Sequence, residues 1–176
     1  MKEEEKFKTK NEIINPKNAC FIDGQNLYYS FVKTLGIEID WVRFRVFLKE
    51  KHRIDDAYYF IGFFQDNIRL YTELQKAGFV LVFKPITKKG EEIKGNVDGD
   101  LIAFAAWVKG GYEQVSIIAN DGDYHRLAEF LNQDEKLHAV FATRKESCSW
   151  LLRKKAGNKM IYLENSQNYF KREKSD

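Results

Sequence analysis

Apolar and polar positions come in alternating blocks between two polar ends. Residues 1–17 are mostly charged or polar, and the chain closes on the charged stretch KREKSD. Both ends are expected as charged tails, 1–17 and 166–176, around one ordered domain at 18–165. Inside it, ACFID (19–23) is a short unbroken apolar run, the mark of a strand buried on both faces. Residues 25–35 follow as a helix that ends near Gly36, and Asp40 is placed to cap a second helix over 41–52. The aromatic run DAYYFIGFF (56–64) predicts a strand. DNIRLYTELQKAG (66–78) predicts a helix with Asp66 as its cap and Gly78 as its stop, and FVLVFKPI (79–86) another strand. TKKGEEIKGNVDG then predicts a loop or hairpin. A helix over 100–111 with a double-glycine stop follows, then a strand at 114–119, a helix at 122–133 and a strand at 137–142. SCSWLLRKKAG reads as a short helix and KMIYL (159–163) as a last edge strand.

Strands that alternate with helices at this spacing build β-α-β units. The expected fold class is α/β, a three-layer α/β/α sandwich around a mainly parallel central sheet. Such sheets bind ligands at the carboxyl ends of their strands. Within the helix at 100–111, LIAFAAWV (101–108) is apolar on every side. Beyond the sheet it needs a second buried surface, either a neighbouring helix or a twofold partner in a homodimer.

Composition narrows the setting without naming a ligand. With 176 residues, 44% of them hydrophobic and 15% aromatic, the chain suits one domain with a sizeable core. A formal charge of +3, from 29 basic and 26 acidic residues, is too mild to indicate a partner. Cys20 and Cys148 stand far apart with no C-x-x-C, which argues against a disulfide scaffold and a cysteine-based zinc site. Cys20 lies inside an apolar run and reads as a small core residue. A reducing cytoplasm fits this pattern. The first residues, MKEEEKFKTKN, lack the apolar stretch of a signal peptide, and no run of 18 apolar residues predicts a membrane span.

Candidate chemistry gathers where the strands end. Asp23 closes the first strand, Asp121 and Asp123 follow the strand at 114–119, and Asp98 and Asp100 stand where a loop enters a helix. In a parallel sheet these positions share one rim. Carboxylates crowded there repel one another, and either raised pKa values or a bound divalent cation relieves the repulsion. Oxygen-rich, cysteine-free clusters suit magnesium or manganese. Each of the four aspartates at a helix start also reads singly as an ordinary cap. Asp23 is the harder one to read that way, since apolar residues lead directly into it.

Other acidic and nucleotide motifs fail. An EF-hand loop read from Asn96 meets Leu101 and Trp107 where it needs glycine and glutamate, and one read from Asp121 meets Arg126 where it needs glycine. A D-x-D phosphatase would carry its pair after the first strand, but Gln25 stands there. Neither a P-loop, a G-x-G-x-x-G nor a G-x-S-x-G occurs.

FIDGQN, KGNVDGDL and IIANDGDYHRL, in that order and spacing, resemble the NYN domains of the PIN-like nuclease superfamily. The resemblance covers roughly residues 18–165. It implies an α/β/α fold, cleavage of RNA and a divalent metal, Mg2+ or Mn2+. Carried over by position, Asp23 matches the first-strand acidic ligand and Asn26 the asparagine after it. Asp98 matches the aspartate of a K-x-x-V-D-type motif, with Lys94 as its lysine. Asp121 and Asp123 match the two aspartates of an S-G-D-x-D-F-type motif, and Asp100 falls where an acidic residue is sometimes found. The last motif departs from the pattern, with Ala119 and Asn120 for serine-glycine and Tyr124 for phenylalanine. Asparagine tolerates the left-handed conformation that glycine would supply, so the turn is expected to survive.

The expected activity is metal-dependent hydrolysis of RNA, with single-stranded RNA as partner. Asp23, Asp98, Asp121 and Asp123 are the metal-site candidates, and with Asn26 they form the catalytic set. Lys94, Arg144 and Lys145 are candidates for the RNA backbone, beside the basic residues Lys88, Lys89, Arg153, Lys154, Lys155 and Lys159; these also read as solvated surface. Tyr28, Tyr29 and Tyr124 are candidates for stacking bases, or else core residues. His125 follows the acidic pair and reads as a helix-surface residue; His52 and His138 show no partner. Two rival functions stand beside this one. A non-catalytic RNA-binding or adaptor protein on the same fold would explain the lost serine-glycine. A metal-dependent phosphatase for small molecules would need a closed pocket where a nuclease needs an open rim.

Overall fold

The structure, a computed structural model, describes residues 17–84 and 97–173, together with the backbone of 87–89 and 92–94. The first strand, β1 (Asn18–Asp23), runs into a short helix, α1 (Gly24–Tyr28), which continues as a π-helical stretch over Tyr29–Thr34. Then come α2 (Trp41–His52), β2 (Asp56–Gly62), α3 (Ile68–Ala77) and β3 (Val80–Lys84). An antiparallel hairpin, β4 (Thr87–Lys89) and β5 (Glu92–Lys94), precedes α4 (Asp98–Val108). The second half holds β6 (Gln114–Ile118), α5 (His125–Gln133), β7 (Leu137–Ala142), α6 (Trp150–Ala156) and β8 (Met160–Tyr162).

The six long-range strands form one parallel sheet in the order β3-β2-β1-β6-β7-β8. From β1 the chain steps outward to β2 and β3, then returns to lay β6 on the other side of β1. The strand order therefore reverses between β1 and β6, which opens a crevice at their carboxyl ends.

Alternation along each strand feeds two cores. Cys20 and Ile22 of β1, with Tyr59 of β2, face Leu27, Phe44 and Leu74 from the helices of the first half. Ala19 and Phe21 face the other way, towards Leu101, Leu127 and Leu152 of α4, α5 and α6. That two-sided burial makes β1 an unbroken apolar run, and it gives the three layers.

Side-chain caps fix the starts of α1 and α2. Asp40 accepts the Arg43 amide at 3.0 Å and starts α2, while Gly78, at φ 94°, ends α3. Asp66 does not cap α3. It sits inside a 3-10 turn at Gln65–Asn67, and Asn67 precedes the helix without a side-chain cap. The strand expected over 56–64 stops at Gly62, and α4 starts at Asp98, two residues before the position expected for it.

Two expectations change in the packing. The helix α4 is not wholly internal: it buries Leu101 and Ala105, while Trp107 is 82% exposed, so a charge at 107 would meet water. Residues 166–173, expected as part of a tail, belong to the packed structure. A 3-10 stretch at Leu163–Tyr169 delivers Phe170 into the first core with no exposed surface, and Lys171 bridges to Ile39. His52 and His138 also have partners. His52 packs on Phe47 and Phe141, and His138 Nδ1 lies 2.9 Å from Gln114 Oε1. Burial holds both imidazoles below their ordinary pKa, so they act as neutral packing groups.

Candidate active site

Asp23 stands at the reversal point because the helix after it needs a cap. Its Oδ1 accepts the Asn26 amide at 2.9 Å and so starts α1. Gly24 is dictated by the neighbouring strand. The Tyr59 ring lies over it, and a Cβ there would stand 2.1 Å from Tyr59 Cε1. Asp98 occupies the first turn of α4, beside the buried Val97. Asp121 caps the 3-10 turn Gly122–Tyr124 by accepting the Asp123 amide at 3.1 Å. Capping and ligand binding are therefore compatible here, since a cap uses one carboxylate oxygen.

Three of the sequence-predicted carboxylates converge. Asp98, Asp121 and Asp123 each present an oxygen within 4.8 Å of the other two. Asp23 reaches them through Tyr124. The Tyr124 hydroxyl lies 2.9 Å from Asp23 Oδ2 and 2.5 Å from Asp98 Oδ1, with its ring wholly buried. Burial first, then the charges of Asp98 and Asp121, push Asp23 up to about 6, against the opposing pull of the Asn26 amide and the Tyr124 hydroxyl. Burial and the neighbouring carboxylates hold the Tyr124 phenol far above its ordinary value, so it keeps its proton. Asp100 turns elsewhere and pairs with Lys84 at 3.6 Å.

Asn120 does not adopt the left-handed conformation expected of it. Among the described residues, only Arg53 and Glu135 outside glycine have positive φ. Asn120 is used for its amide instead. Its Nδ2 donates to Ser30 Oγ at 2.9 Å and Thr143 Oγ1 at 2.5 Å, and its Oδ1 accepts the Thr143 amide at 2.8 Å. Its carbonyl accepts the Ser149 amide at 2.8 Å. The ends of β6 and β7 are thereby tied to the π-helical stretch under the site. Ala119 is buried in the second core.

An open cleft of about 620 Å³ runs over these groups, lined by Asp23, Asn26, Tyr29, Asp98, Asn120 and Asp121 among others. A side lobe of about 430 Å³ continues past Gly122 to Ser147 and Ser149. In its wall Asn26 Oδ1 is buried without a hydrogen bond from the described residues, an acceptor still to be satisfied. An oxygen-only donor set of clustered carboxylates beside a neutral acceptor fits Mg2+ or Mn2+.

The expected RNA contacts divide. Tyr29 lines the cleft and is 65% exposed, Tyr28 lies by a separate groove next to Trp41, and Tyr124 is buried and does not stack bases. Arg144 pairs with Glu146 and Glu164, the Lys145 backbone amide donates to Glu164, and neither residue is in the lining of the cleft. Lys155 pairs with Glu129 and Lys159 with Asn132. The side chains of Lys88, Lys89 and Lys94 lie outside the described residues. His125 donates from Nδ1 to the Gly122 carbonyl at 2.7 Å, which fixes the turn that carries Asp121 and Asp123.

The bridging role of Tyr124 escaped the sequence reading, which took it for a base-stacking or core residue. Tyr124 gave one signal, its hydroxyl where the motif has phenylalanine.

The fold resembles that of a protein of unknown function, VPA0982, from Vibrio parahaemolyticus RIMD 2210633. The TM-score is 0.75 at 20% identity, over 89% of this chain and 96% of that one. The T5 D15 protein, whose crystals were grown with metal ions, aligns at a TM-score of 0.46 and 15% identity, over 72% of this chain and 54% of that one. Among curated proteins, none matches the sequence. The NYN domain model matches residues 17–164, so the chain belongs to the NYN family of the PIN-like nuclease superfamily, whose members use divalent metals.

Proposed function

We propose that the chain is a ribonuclease that hydrolyses phosphodiester bonds of single-stranded RNA with a divalent metal. The observation that carries this reading is the convergence of Asp98, Asp121 and Asp123 at the carboxyl rim of the sheet. These three would hold the cation, and Asp23 would add its charge from the end of β1. A bound Mg2+ or Mn2+ supplies Lewis acidity and acidifies water enough for attack at neutral pH. The chain's own residues do the rest. Asn120 stiffens the cleft floor through Ser30 and Thr143, so the carboxylates are held in place before substrate arrives. The unsatisfied Asn26 Oδ1 would accept a hydrogen bond from a water or a sugar hydroxyl. The open shape of the cleft favours a polymer over a small phosphate ester.

The adaptor reading rested on the missing serine-glycine pair. That change removes no carboxylate, and Asn120 repays it with a fixed floor, which favours catalysis. Incubating the purified chain with labelled single-stranded RNA decides between them. Cleavage is expected in Mn2+ or Mg2+ and not in EDTA. A chain inert on RNA in every divalent metal, yet still binding it, would establish the adaptor instead.

Tyr29 is expected to stack one base. Tyr29→Ala should weaken single-stranded RNA binding about tenfold, the scale of one base–aromatic stack. Fluorescence anisotropy in metal-free buffer reads this directly, and unchanged affinity would remove Tyr29 from the RNA path.

A further inference from the structure

The Tyr124 hydroxyl bridges two elements, the end of β1 and the first turn of α4. Its position leaves little choice. The ring is wholly buried in the second core with Leu127 and Val97, and the 3-10 turn capped by Asp121 fixes its backbone. The two carboxylates must therefore come to the hydroxyl, and they do so with one oxygen each and share its single proton. Asp23 gives its other oxygen to the Asn26 amide. A carboxylate oxygen that accepts one hydrogen bond keeps a second lone pair for a cation, but to chelate through both oxygens either carboxylate must rotate and give up its bond to the phenol.

Cations differ in how much they need that rotation. Mg2+ takes six ligands in near-ideal octahedral geometry, as a rule through single carboxylate oxygens and waters. Ca2+ takes six to eight oxygens at longer distances and commonly uses carboxylates two-fold. We propose that Tyr124 is a positioning residue that sets the cation preference of the site: by holding one oxygen of Asp23 and one of Asp98, its hydroxyl disfavours two-oxygen chelation and so selects Mg2+ over Ca2+. This rests on the metal site proposed above and assigns the selectivity to a residue outside the acidic set.

The test needs no RNA. Tyr124→Phe keeps the ring and deletes the bridge. Calorimetric titration of Mg2+ and Ca2+ into the wild type and the variant gives the ratio of the two dissociation constants in each. In the variant the ratio should move about tenfold towards Ca2+, the weight of one hydrogen bond to a charged group. General loosening of the fold would weaken both cations and leave the ratio in place, so a ratio unchanged within about twofold overturns the proposal. The wild type supplies a second arm that does not depend on the variant folding. It should bind Mg2+ at least as tightly as Ca2+, and a clear wild-type preference for Ca2+ also overturns the proposal. Failure to bind any divalent cation would instead sink the metal site on which both readings stand.

Discussion

Asp23→Asn should do two opposite things: abolish metal-dependent RNA cleavage and stabilise the metal-free protein at neutral pH. The activity loss should be at least about 100-fold, the scale of removing one group that stabilises charge at the reacting atoms. The gain in stability follows from burial. Asp23 is 4% exposed, and its carboxyl is pushed up to about 6 from an ordinary value of 3.8. Between those values the folded chain binds a proton that the unfolded chain has already released. Stability therefore falls as pH rises through the window from about 4 to 6, and above it the penalty is constant at about 2–3 kcal/mol. Asparagine can accept the Asn26 amide and meet the Tyr124 hydroxyl without any charge to desolvate. In EDTA at pH 7.5 the variant should melt higher than the wild type by several degrees. At pH 4, where the wild-type carboxyl is already protonated, the two curves should converge. Millimolar Mn2+ should raise the wild type more than the variant, because a cation bound only by the folded state relieves the same repulsion. A variant less stable than the wild type in EDTA at pH 7.5 would show that the Asp23 charge is not under strain.

Part of the site is legible in the sequence alone. The aspartates were legible because each stands directly after a strand or at a helix start, and a parallel sheet brings such positions to one rim. Their division into a converging trio and a buried fourth was not legible. It depends on Tyr124, whose hydroxyl points back from the start of α5 towards residues 101 and 26 positions earlier in the chain. Asn120 was noticed for its backbone, but the structure uses its side chain, because Ser30 and Thr143 reach it from elements distant in sequence. The partners of the basic residues were not legible for a related reason. Arg144, Lys155 and Lys159 stand in a basic stretch of sequence, and the fold brings Glu164, Glu129 and Asn132 beside them. Periodicity placed the strands and helices well, since it reports which face of an element is buried. Ends were placed less well, as at Asp66, where a residue suited to capping sits in a 3-10 turn instead.

Phe170→Ala should cost about 3–5 kcal/mol, the usual range for emptying a wholly buried phenylalanine site. The reason it escaped the sequence reading is that a single aromatic stands beside charged KREKSD, with no periodic neighbours to mark it. In the structure its ring lies 4.9 Å from Phe44, 5.4 Å from Phe47 and 5.6 Å from Phe31, centre to centre. Its carbonyl accepts the Asp40 amide at 2.8 Å, and the Arg172 amide donates to the Glu38 carbonyl at 2.9 Å. The segment therefore clamps the start of α2 to the first core. Phe31 carries the consequence towards the cleft, because it follows Ser30, the partner of Asn120, in the π-helical stretch. Urea unfolding of Phe170→Ala should show a midpoint well below that of the wild type, while Lys171→Ala, with an exposed side chain, should stay within about 0.5 kcal/mol. A chain ended at residue 165 should lose at least as much as Phe170→Ala, since it forfeits the ring and both backbone bonds. If Phe170→Ala unfolds within about 1 kcal/mol of the wild type, the segment is an ornament on the domain and not part of its core.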